Sequence, residues 1–547
     1  MKIIYISFFV SLLPFLLKSQ SCFEDGLSLS NQMDADNFLL NNPNCSIIEG
    51  DLNVFFSTLE DLDALQNIKE IRGNLIISDS PNLTSLIGLR RLNTIGGSLI
   101  VSDNNSLHDL SGLDSLARID GNLIIENNLN LQSIKAIENL SKIKSTLRIS
   151  GNSIIDSISL TSLTDTISSI DITNNSELHH IYIDGNLKSI EGPLRIDINP
   201  NLLALEGFST LKNINNNLAI LNNSELKIVS GFDSLVIIGG NLSFNSCEHI
   251  EEIPSFNNLE KSNKIDISIE KLNKIDGFYK LKDTVNEIKI LRCDSLKSIN
   301  GFNKVKHVKT RVLFGTTKDL ISINGFNDLI SMRYLHLDYC PNLSIINAFE
   351  SLEIIDSTFL VGGCNSLKNL DFVQSLKTVD EIIIRSATTS IITNGIDDIE
   401  GLSNIDVNYL TSLNISYCPN LSVCAYEPIC RYLEESNTNY VIENNDLGCN
   451  SREEILEACE MVSTDNIMNS HITINLYPNP ANRVITIDCS KKIERVEIHK
   501  INGQKVKELI INSGQIDVSD LKNGLYLLTL STNDGIYTKK VTITNNE

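Results

Sequence analysis

The feature that most constrains this chain is one position that recurs at a nearly constant spacing. Asparagine occupies it every 23 or 24 residues in one stretch, and cysteine occupies most of its later copies. The asparagines are Asn104, Asn128, Asn152, Asn175, Asn199 and Asn223, and the later copies are Cys247, Cys293, Thr317, Cys340, Cys364 and Cys418. A self-similar period of about 20 to 50 residues indicates a solenoid, in which each coil contributes one copy of the position.

The residues around this position predict a short strand followed by tight turns. In the coil that begins at Gly97, apolar residues alternate at Leu99 and Val101 and then recur in steps of three. Alternation with a period of two is typical of a strand, and steps of three are typical of 3-10-like turns. The pattern runs without gaps over residues 73–144 and in variant form to Leu421. We therefore predict a mainly β chain with about fifteen coils.

The residue types at the recurring position indicate a structural role. An asparagine amide stacked from coil to coil can donate hydrogen bonds to backbone carbonyl groups that would otherwise be buried without a partner. Cysteine is small enough to replace it and tolerates burial. We therefore expect a buried structural ladder at the positions given above, and we expect its cysteines to be mostly free thiols.

The repeat pattern, with its strand residues, its ladder residue and its glycine-containing turns, resembles the receptor-L-domain-like repeats of bacterial proteins, a branch of the leucine-rich-repeat class. The resemblance covers residues 46–423. It implies a right-handed, receptor-L-type solenoid whose repeats bind an extracellular protein or glycan. Because partners differ widely among proteins that share such a fold, the resemblance names no ligand.

The N-terminus has the composition of a secretory signal peptide over residues 1–21. An early lysine precedes an apolar run, and the small residues Ser19 and Ser21 favour cleavage before Cys22. A membrane anchor and a lipid attached at Cys22 are the alternatives, but Pro14 interrupts the apolar run. We therefore expect no transmembrane span in the mature chain.

The other cysteines lie mostly at the two ends of the predicted solenoid, where we expect disulfide-bonded caps at residues 22–45 and 424–460. Exported proteins commonly pair their cysteines. The candidates are Cys22 and Cys45 in the first cap and Cys424, Cys430, Cys449 and Cys459 in the second. Four cysteines allow three pairings, and the sequence does not choose among them. Cys489 is left over.

A different pattern begins after a polar linker at residues 461–473. Short alternating strands separated by Pro, Asn and Gly predict a small Ig-like β-sandwich over residues 474–547. Its motif residues are Tyr477, Pro478, Asn479, Pro480, Asn502, Gly503, Gln504, Gly524, Tyr526, Lys539 and Lys540. In this order they resemble the type A C-terminal sorting domain of the Bacteroidota type IX secretion system. The resemblance implies that the type IX machinery is a partner, and that the protein is secreted or anchored on the outer surface of a Gram-negative cell. An ordinary Ig-like domain is the alternative.

Charge and motif content argue against several classes of function. The net charge of −23 disfavours nucleic-acid binding, which requires a basic surface. The sequence lacks the signatures of nucleotide-binding loops, metalloproteases and hydrolase nucleophile elbows, so we expect no enzyme, no cofactor and no metal site. The adjacent pair His179 and His180 has no ligand-like spacing around it. The alternatives to a binding or adhesion protein are a polysaccharide-degrading parallel β-helix enzyme and a passive surface-coat scaffold.

One apolar stripe is a candidate contact surface. Ile76, Ile100 and Ile124 lie between the inward-facing strand residues of successive coils, 24 residues apart. They should therefore stack on the outer face of the strands, where contiguous apolar patches are uncommon without a use. Equivalent later positions are polar, as at Arg148 and Arg195. The stripe could also reflect the preference of isoleucine for strands, or the N-terminal cap could cover it.

Overall fold

The computed structural model describes residues 20–56, 58–386, 395–468, 474–489, 492–500, 504–509, 514–532 and 535–544. The predicted signal peptide therefore lies almost wholly outside the described residues. The chain forms two compact units: one extends to residue 423 and includes 437–446, and the other comprises 424–436 together with 447 onward.

The first unit is a β-solenoid of about 17 turns, and it confirms the predicted mainly β fold. One strand from each coil joins a long parallel sheet, which we call the main sheet. Its strands, in spatial order, are Leu27–Leu29, Leu52–Phe55, Leu75–Ser78, Leu99–Ser102, Leu123–Glu126, Thr146–Ser150, Ser169–Thr173, Leu194–Asp197, Leu218–Leu221, Asn241–Asn245, Lys264–Ser268, Glu287–Leu291, Lys304–Gly315, Ser331–Asp338, Ile354–Gly362, Thr378–Arg385, Ser412–Ser416 and Asn439–Glu443, with Lys282–Val285 paired to the start of Lys304–Gly315.

The turn count exceeds the predicted fifteen because both segments predicted as caps contribute to the stack. Leu27–Leu29 in the first cap and Asn439–Glu443 in the second pair with the main sheet in parallel. The first cap also contains the helix Gln32–Asn41, whose N-cap Asn31 accepts a hydrogen bond from the Asp34 backbone N–H at 3.0 Å. The strands at each end of the solenoid thus pair in parallel, as the strands in its middle do.

Other sides of the coils carry shorter parallel sheets and 3-10 turns. The first short sheet comprises Gln20–Cys22, Cys45–Ile48, Glu70–Ile71, Thr94–Ile95, Arg118–Ile119 and Lys142–Ile143. The second comprises Ser157–Ile167, His180–Ile190, Ala204–Gly207, Asn213–Ile214, Ile228–Val229 and Ile237–Ile238. The third comprises Lys274–Gly277, Ser298–Gly301, Ser322–Gly325 and Ile345–Ala348. The 3-10 turns are Asp63–Leu65, Ile87–Leu89, Lys135–Ile137, Asp371–Val373, Glu400–Leu402 and Val407–Tyr409.

A column of buried phenylalanines, which was not predicted, runs through the later coils. Its members are Phe208, Phe232, Phe256, Phe278, Phe302, Phe326 and Phe349. Successive ring centroids lie 4.8 to 6.4 Å apart, and every member has a left-handed φ between 48° and 66°. The residue before Phe302 is Gly301, where a Cβ would lie 1.8 Å from the Gly277 carbonyl oxygen. In the sequence, this column is marked by a recurring pair in which a small residue precedes phenylalanine.

The second unit combines a helical, disulfide-bonded segment with an all-β module. Its helices are Glu427–Glu434 and Arg452–Met468, and the second of them extends into the segment predicted as linker. The antiparallel strands are Ile474–Tyr477, Val484–Cys489 and Gln515–Asp517 in one sheet, and Lys505–Leu509, Ile493–Lys500, Gly524–Thr532 and Gly535–Ile543 in the other. Ile485 of the first sheet and Leu528 of the second are buried in one hydrophobic core. The module is therefore two antiparallel sheets packed face to face.

Candidate functional site

The ladder asparagines are buried and bonded to the coil before them. Asn152 is a representative member: its Nδ2 donates to the Ile125 carbonyl at 2.9 Å, and its Oδ1 accepts the Asn128 backbone N–H at 3.1 Å. All six asparagines make the equivalent Nδ2 contact to a carbonyl at 2.9 to 3.1 Å. Each one therefore satisfies a carbonyl and an N–H that the strand end leaves unpaired inside the solenoid.

The ladder cysteines occupy the same slot with weaker contacts. Their Sγ atoms lie 3.7 to 3.9 Å from the equivalent carbonyl oxygens, and all five thiols are free and buried. Burial raises the pKa of Cys247 to about 11 and the pKa of Cys293 and Cys418 to about 12, so these three thiols are neutral structural groups. Thr317 continues the ladder, with its Oγ1 3.0 Å from the Cys340 Sγ.

The structure adds members to the ladder that the sequence pattern did not identify. The Ser80 backbone N–H donates to Asn104 Oδ1 at 3.2 Å, so Ser80 occupies the preceding slot. At the other end, Asn445 accepts the Cys418 N–H at 3.0 Å and donates to the Ile415 carbonyl at 2.8 Å. The repeat spacing does not mark Asn445, because it follows Cys418 by 27 residues instead of 23 or 24.

The predicted cap cysteines form three disulfides. Cys22 pairs with Cys45 in the first unit. In the second unit Cys424 pairs with Cys449 and Cys430 pairs with Cys459, which selects one of the three pairings that the sequence left open. Cys489 is a half-buried free thiol.

The outer face of the main sheet presents one column of side chains in continuous register. Ile76, Ile100 and Ile124 stack directly on one another, as their spacing predicted, but each is half-buried, not fully exposed. The whole outer column, in spatial order, is Ser28, Asn53, Ile76, Ile100, Ile124, Arg148, Asp171, Arg195, Ala219, Ser243, Asp266, Lys289, Leu313, His336, Leu360, Ile383, Asn414 and Val441.

A first charged band follows the isoleucines along this column. Arg148 Nε lies 3.4 Å from Asp171 Oδ2, and Arg195 Nη2 lies 2.5 Å from Asp197 Oδ2. The side chains of both arginines remain about half exposed, at 46% and 48%. The acidic partners are more buried, at 23% exposure for Asp171 and 5% for Asp197, so the arginine side chains are the part of this band that a partner can reach.

A second charged band lies further along the column. Lys289 Nζ lies 3.4 Å from Asp266 Oδ1, and Lys264 Nζ lies 2.7 Å from Glu287 Oε2. Burial alone would raise the pKa of Glu287, but hydrogen bonds from Lys264 and Arg311 outweigh it and hold that pKa below its usual value. The Glu287 carboxylate is therefore ionised and paired at neutral pH.

A second apolar segment follows that band, and the sequence does not reveal it because its residues differ in type. It consists of Leu313, His336, Leu360 and Ile383, and Leu360 is only 9% exposed. The ring of His336 meets that of Tyr334 edge-on with centroids 5.6 Å apart. Burial lowers the pKa of His336, so its ring is neutral near pH 7. These residues follow one another at spacings of 23 or 24 residues, and the register of the sheet makes them neighbours.

The motif residues of the C-terminal module lie at strand ends and turns. Asn479 Oδ1 accepts the Thr542 backbone N–H at 2.8 Å, which fastens the Tyr477–Pro480 segment to the last strand. Tyr526 is buried and its hydroxyl donates to the Lys522 carbonyl at 2.9 Å. Gln504 accepts the Lys500 N–H with its carbonyl at 2.9 Å.

The remaining motif residues are either on the surface or not described. Lys539 and Lys540 are exposed on the strand Gly535–Ile543, and Gly524 opens the strand Gly524–Thr532. Asn502 and Gly503 lie outside the described residues.

Metal sites and membrane-spanning helices are two other features that could suggest a function. In the described part of the chain, no group of three or more His, Cys, Asp and Glu side chains is arranged to hold a metal ion. His179 Nδ1 lies 2.9 Å from Asp156 Oδ1, an exposed pair. Among the same residues, no helix has both the length and the apolar character needed to cross a bilayer.

These observations define a parallel β-solenoid repeat protein that ends in a small antiparallel β module. Comparison with known families matches a segment of each part: residues 44–111 match the model described as Receptor L domain, and residues 475–544 match the model described as Secretion system C-terminal sorting domain. Both matches confirm the resemblances drawn from the sequence. A search of curated proteins finds no match. The sorting domain implies passage through the type IX secretion machinery, and hence secretion or attachment to the cell surface.

Proposed function

We propose that this protein is an exported binding or adhesion module that contacts an extracellular protein or glycan with the outer face of its main sheet. The observation that carries the proposal is the outer column, in which two apolar segments are separated by two charged bands in unbroken register. The sorting domain supports display or release outside the cell, where such a face would meet its partner.

The distribution of apolar residues on this face supports a contact surface more than simple strand propensity. A preference of β-branched residues for strands would spread them evenly along the sheet. Here isoleucine fills three successive places and is then absent from the column until Ile383. Contiguous apolar patches bordered by charge are typical of interaction surfaces.

The same face offers little support for catalysis, and we propose that the protein is not an enzyme. A glycosidase needs a carboxylic acid whose pKa is raised so that it can donate a proton. The pKa of Glu287, the carboxylate most closely surrounded by cations on this face, is shifted in the opposite direction. Incubation of the purified protein with a panel of polysaccharides should yield no reducing ends; sustained turnover would contradict this part of the proposal.

The binding proposal is tested by replacing Ile76, Ile100 and Ile124 together with threonine. Threonine keeps the β-branch that strands favour and removes apolar surface, so folding should persist. Partners found by a protein and glycan array should bind at least about tenfold more weakly, as expected from a loss of about 1.4 kcal/mol.

The matched control replaces three exposed isoleucines that are not on the outer face of the main sheet. Ile321, Ile330 and Ile345 are 46%, 36% and 46% exposed and suit this purpose. The control triple variant should bind as the parent does. Equal binding by the parent and the Ile76, Ile100 and Ile124 variant would show that this stripe is not the interface.

A further inference from the structure

The outer column of the main sheet has nearly the same chemical character when it is followed from either end. From the small residues Ala219 and Ser243 at its middle, each direction meets charge first, then apolar residues, then asparagine. We propose that two copies of this chain dock through these faces, with their solenoid axes antiparallel. This inference rests on the proposed function, and it names the partner as a second copy of the same chain.

The two-fold axis of this dimer would lie in the plane of the interface, parallel to the strands, and cross the column midway between Ala219 and Ser243. In the dimer the outer column of one copy lies on that of the other, in reverse order. Ala219 then faces Ser243 of the second copy, and both are half-buried and small. Small side chains at the centre allow the two sheets to approach closely.

The charged residues on either side of this centre become complementary. Arg195 stands one coil before Ala219, and Asp266 stands one coil after Ser243. The reversed order therefore places the half-exposed Arg195 side chain over the Asp266 carboxylate, which is 9% exposed and also paired with Lys289. One coil further out, Asp171 meets Lys289 in the same way. Because the dimer has two-fold symmetry, each pair forms twice, which gives four intermolecular contacts between opposite charges.

The apolar segments also meet in the same arrangement. Ile76 falls opposite Ile383, and Ile100 falls opposite Leu360. Burial of apolar area drives association. Ile76, Ile100 and Ile383 are half-buried in the single chain, whereas Leu360 is already buried, at 9% exposure. The dimer thus places the two ends of the column, which the sequence presents as unrelated, in one interface.

Two positions fit less simply, and both can be accommodated. Ile124 faces the ring of His336, which is neutral near pH 7 because burial lowers its pKa. Arg148 faces Leu313, and its side chain is 46% exposed. An arginine packs its aliphatic stem on an apolar neighbour while its guanidinium reaches past to solvent or to Asp171.

The charge pattern specifies this register and disfavours its neighbours. If one copy slips by one coil in one direction, Asp171 faces Asp266 and Arg148 faces Lys289. A slip by one coil in the other direction places Arg195 opposite Lys289. Both slips bring like charges together, which disfavours them. The register centred between Ala219 and Ser243 avoids all of these repulsions.

The face is large enough for a stable dimer. The outer column with its flanking side chains covers roughly 75 Å by 15 Å, on the order of 1,000 Å² per copy, which exceeds the roughly 800 Å² per partner of a standard interface.

The decisive experiment is a mixing test with two charge-reversal variants of the secreted chain, measured by sedimentation velocity. Asp171→Lys alone should dimerise at least about tenfold more weakly than the parent, because lysine then faces Lys289 twice. Lys289→Asp alone should be weakened equally, because two acidic groups then face each other. An equimolar mixture of the two variants should recover dimers. In the mixed dimer the native Asp171 of one chain faces the native Lys289 of the other, and at the second contact the substituted lysine faces the substituted aspartate.

Two further variants control for folding and for unspecific charge effects. Ala219→Arg places bulk at the two-fold centre on a half-buried strand position and should abolish the dimer without unfolding the chain. Lys142→Asp makes the same charge change as Lys289→Asp on a different sheet and should leave dimerisation unchanged. Circular dichroism spectra should match the parent for every variant.

The outcomes separate this inference from the proposed function. A parent chain that stays monomeric at about 100 µM, well above the micromolar range of weak specific complexes, would overturn the dimer. So would a mixture of the two charge variants that stays monomeric. If the parent is monomeric but the Ile76, Ile100 and Ile124 variant loses a foreign partner, only the dimer fails. If dimers form and no foreign partner depends on those isoleucines, the proposed contact with such a partner fails instead.

Discussion

The two halves of the ladder hold the same coil geometry with different chemistry. In the earlier coils an asparagine Nδ2 reaches a carbonyl at 2.9 to 3.1 Å, whereas in the later coils a cysteine Sγ lies 3.7 to 3.9 Å from the equivalent carbonyl. A thiol is a weak donor, so the later coils lose much of this hydrogen-bonding energy. The phenylalanine column begins at Phe208 and runs to Phe349, across most of those coils. The comparison shows that a coil can be held by a polar contact at one corner or by aromatic stacking at another.

The largest effect should come from removing a ring from the later half. Phe302→Ala empties a fully buried site between two stacked rings, 4.8 Å from Phe278 and 5.0 Å from Phe326. The free energy of unfolding should fall by about 3 to 5 kcal/mol, measured by denaturant titration. Leu129→Ala, at a position that is 49% exposed, is the control and should change it by less than about 0.5 kcal/mol. A loss below about 1 kcal/mol for Phe302→Ala would mean that the rings do not stabilise these coils.

A smaller effect should come from replacing a ladder asparagine in the earlier half. Asn152→Ala leaves the Ile125 carbonyl and the Asn128 N–H without their partner, and should lower the free energy of unfolding by about 1 to 3 kcal/mol in the same titration. Asn152→Cys reproduces the contact seen in the later coils and should be milder. Equal losses for the two substitutions would contradict the view that both residue types serve one slot.

The effect that is smallest near neutral pH concerns the protonation of the ladder cysteines in the later coils. Burial raises the pKa of Cys247 to about 11 and the pKa of Cys293 and Cys418 to about 12. The folded state therefore keeps its thiol protons when the unfolded state has lost them. Its stability should be unaffected below about pH 8.5, the pKa of an exposed thiol, and should decline as pH rises toward the folded values.

Thiol labelling checks this directly. At pH 8 the three cysteines should resist a thiol reagent in the folded protein and react fully in denaturant. Cys489, which is half-buried and free, should be the first to react in the folded chain and serves as the internal control. Fast labelling of Cys247 in the folded state would contradict the buried slot.

The fold was predictable where one residue type repeats and less so where only geometry relates the residues. The spacing of Asn104 to Asn223 determined the coil length and placed Ile76, Ile100 and Ile124 in one column. Leu313, His336 and Leu360 share that column too, at spacings of 23 and 24 residues, but no repeated letter marks them. Asn445 was missed because it follows Cys418 by 27 residues. The partners of Cys424 and Cys430 depend on where two helices place them, which periodicity does not encode.

The ladder also determines what can vary in such a protein. Each asparagine bonds only within its own coil and to the adjacent coils, as Asn128 does to Val101 and Asn104 of the coil before it. None of these contacts therefore depends on how many coils the stack contains. Removal of residues 121–144 as a whole coil would bring Asn152 against Asn104 and leave the interior complete. The number of coils can therefore change without disturbing the interior of this solenoid. The outer column cannot vary in length in the same way. If a coil is added or lost on one side of Ala219, the charged and apolar residues on that side no longer lie at the same distance from the centre as those on the other side.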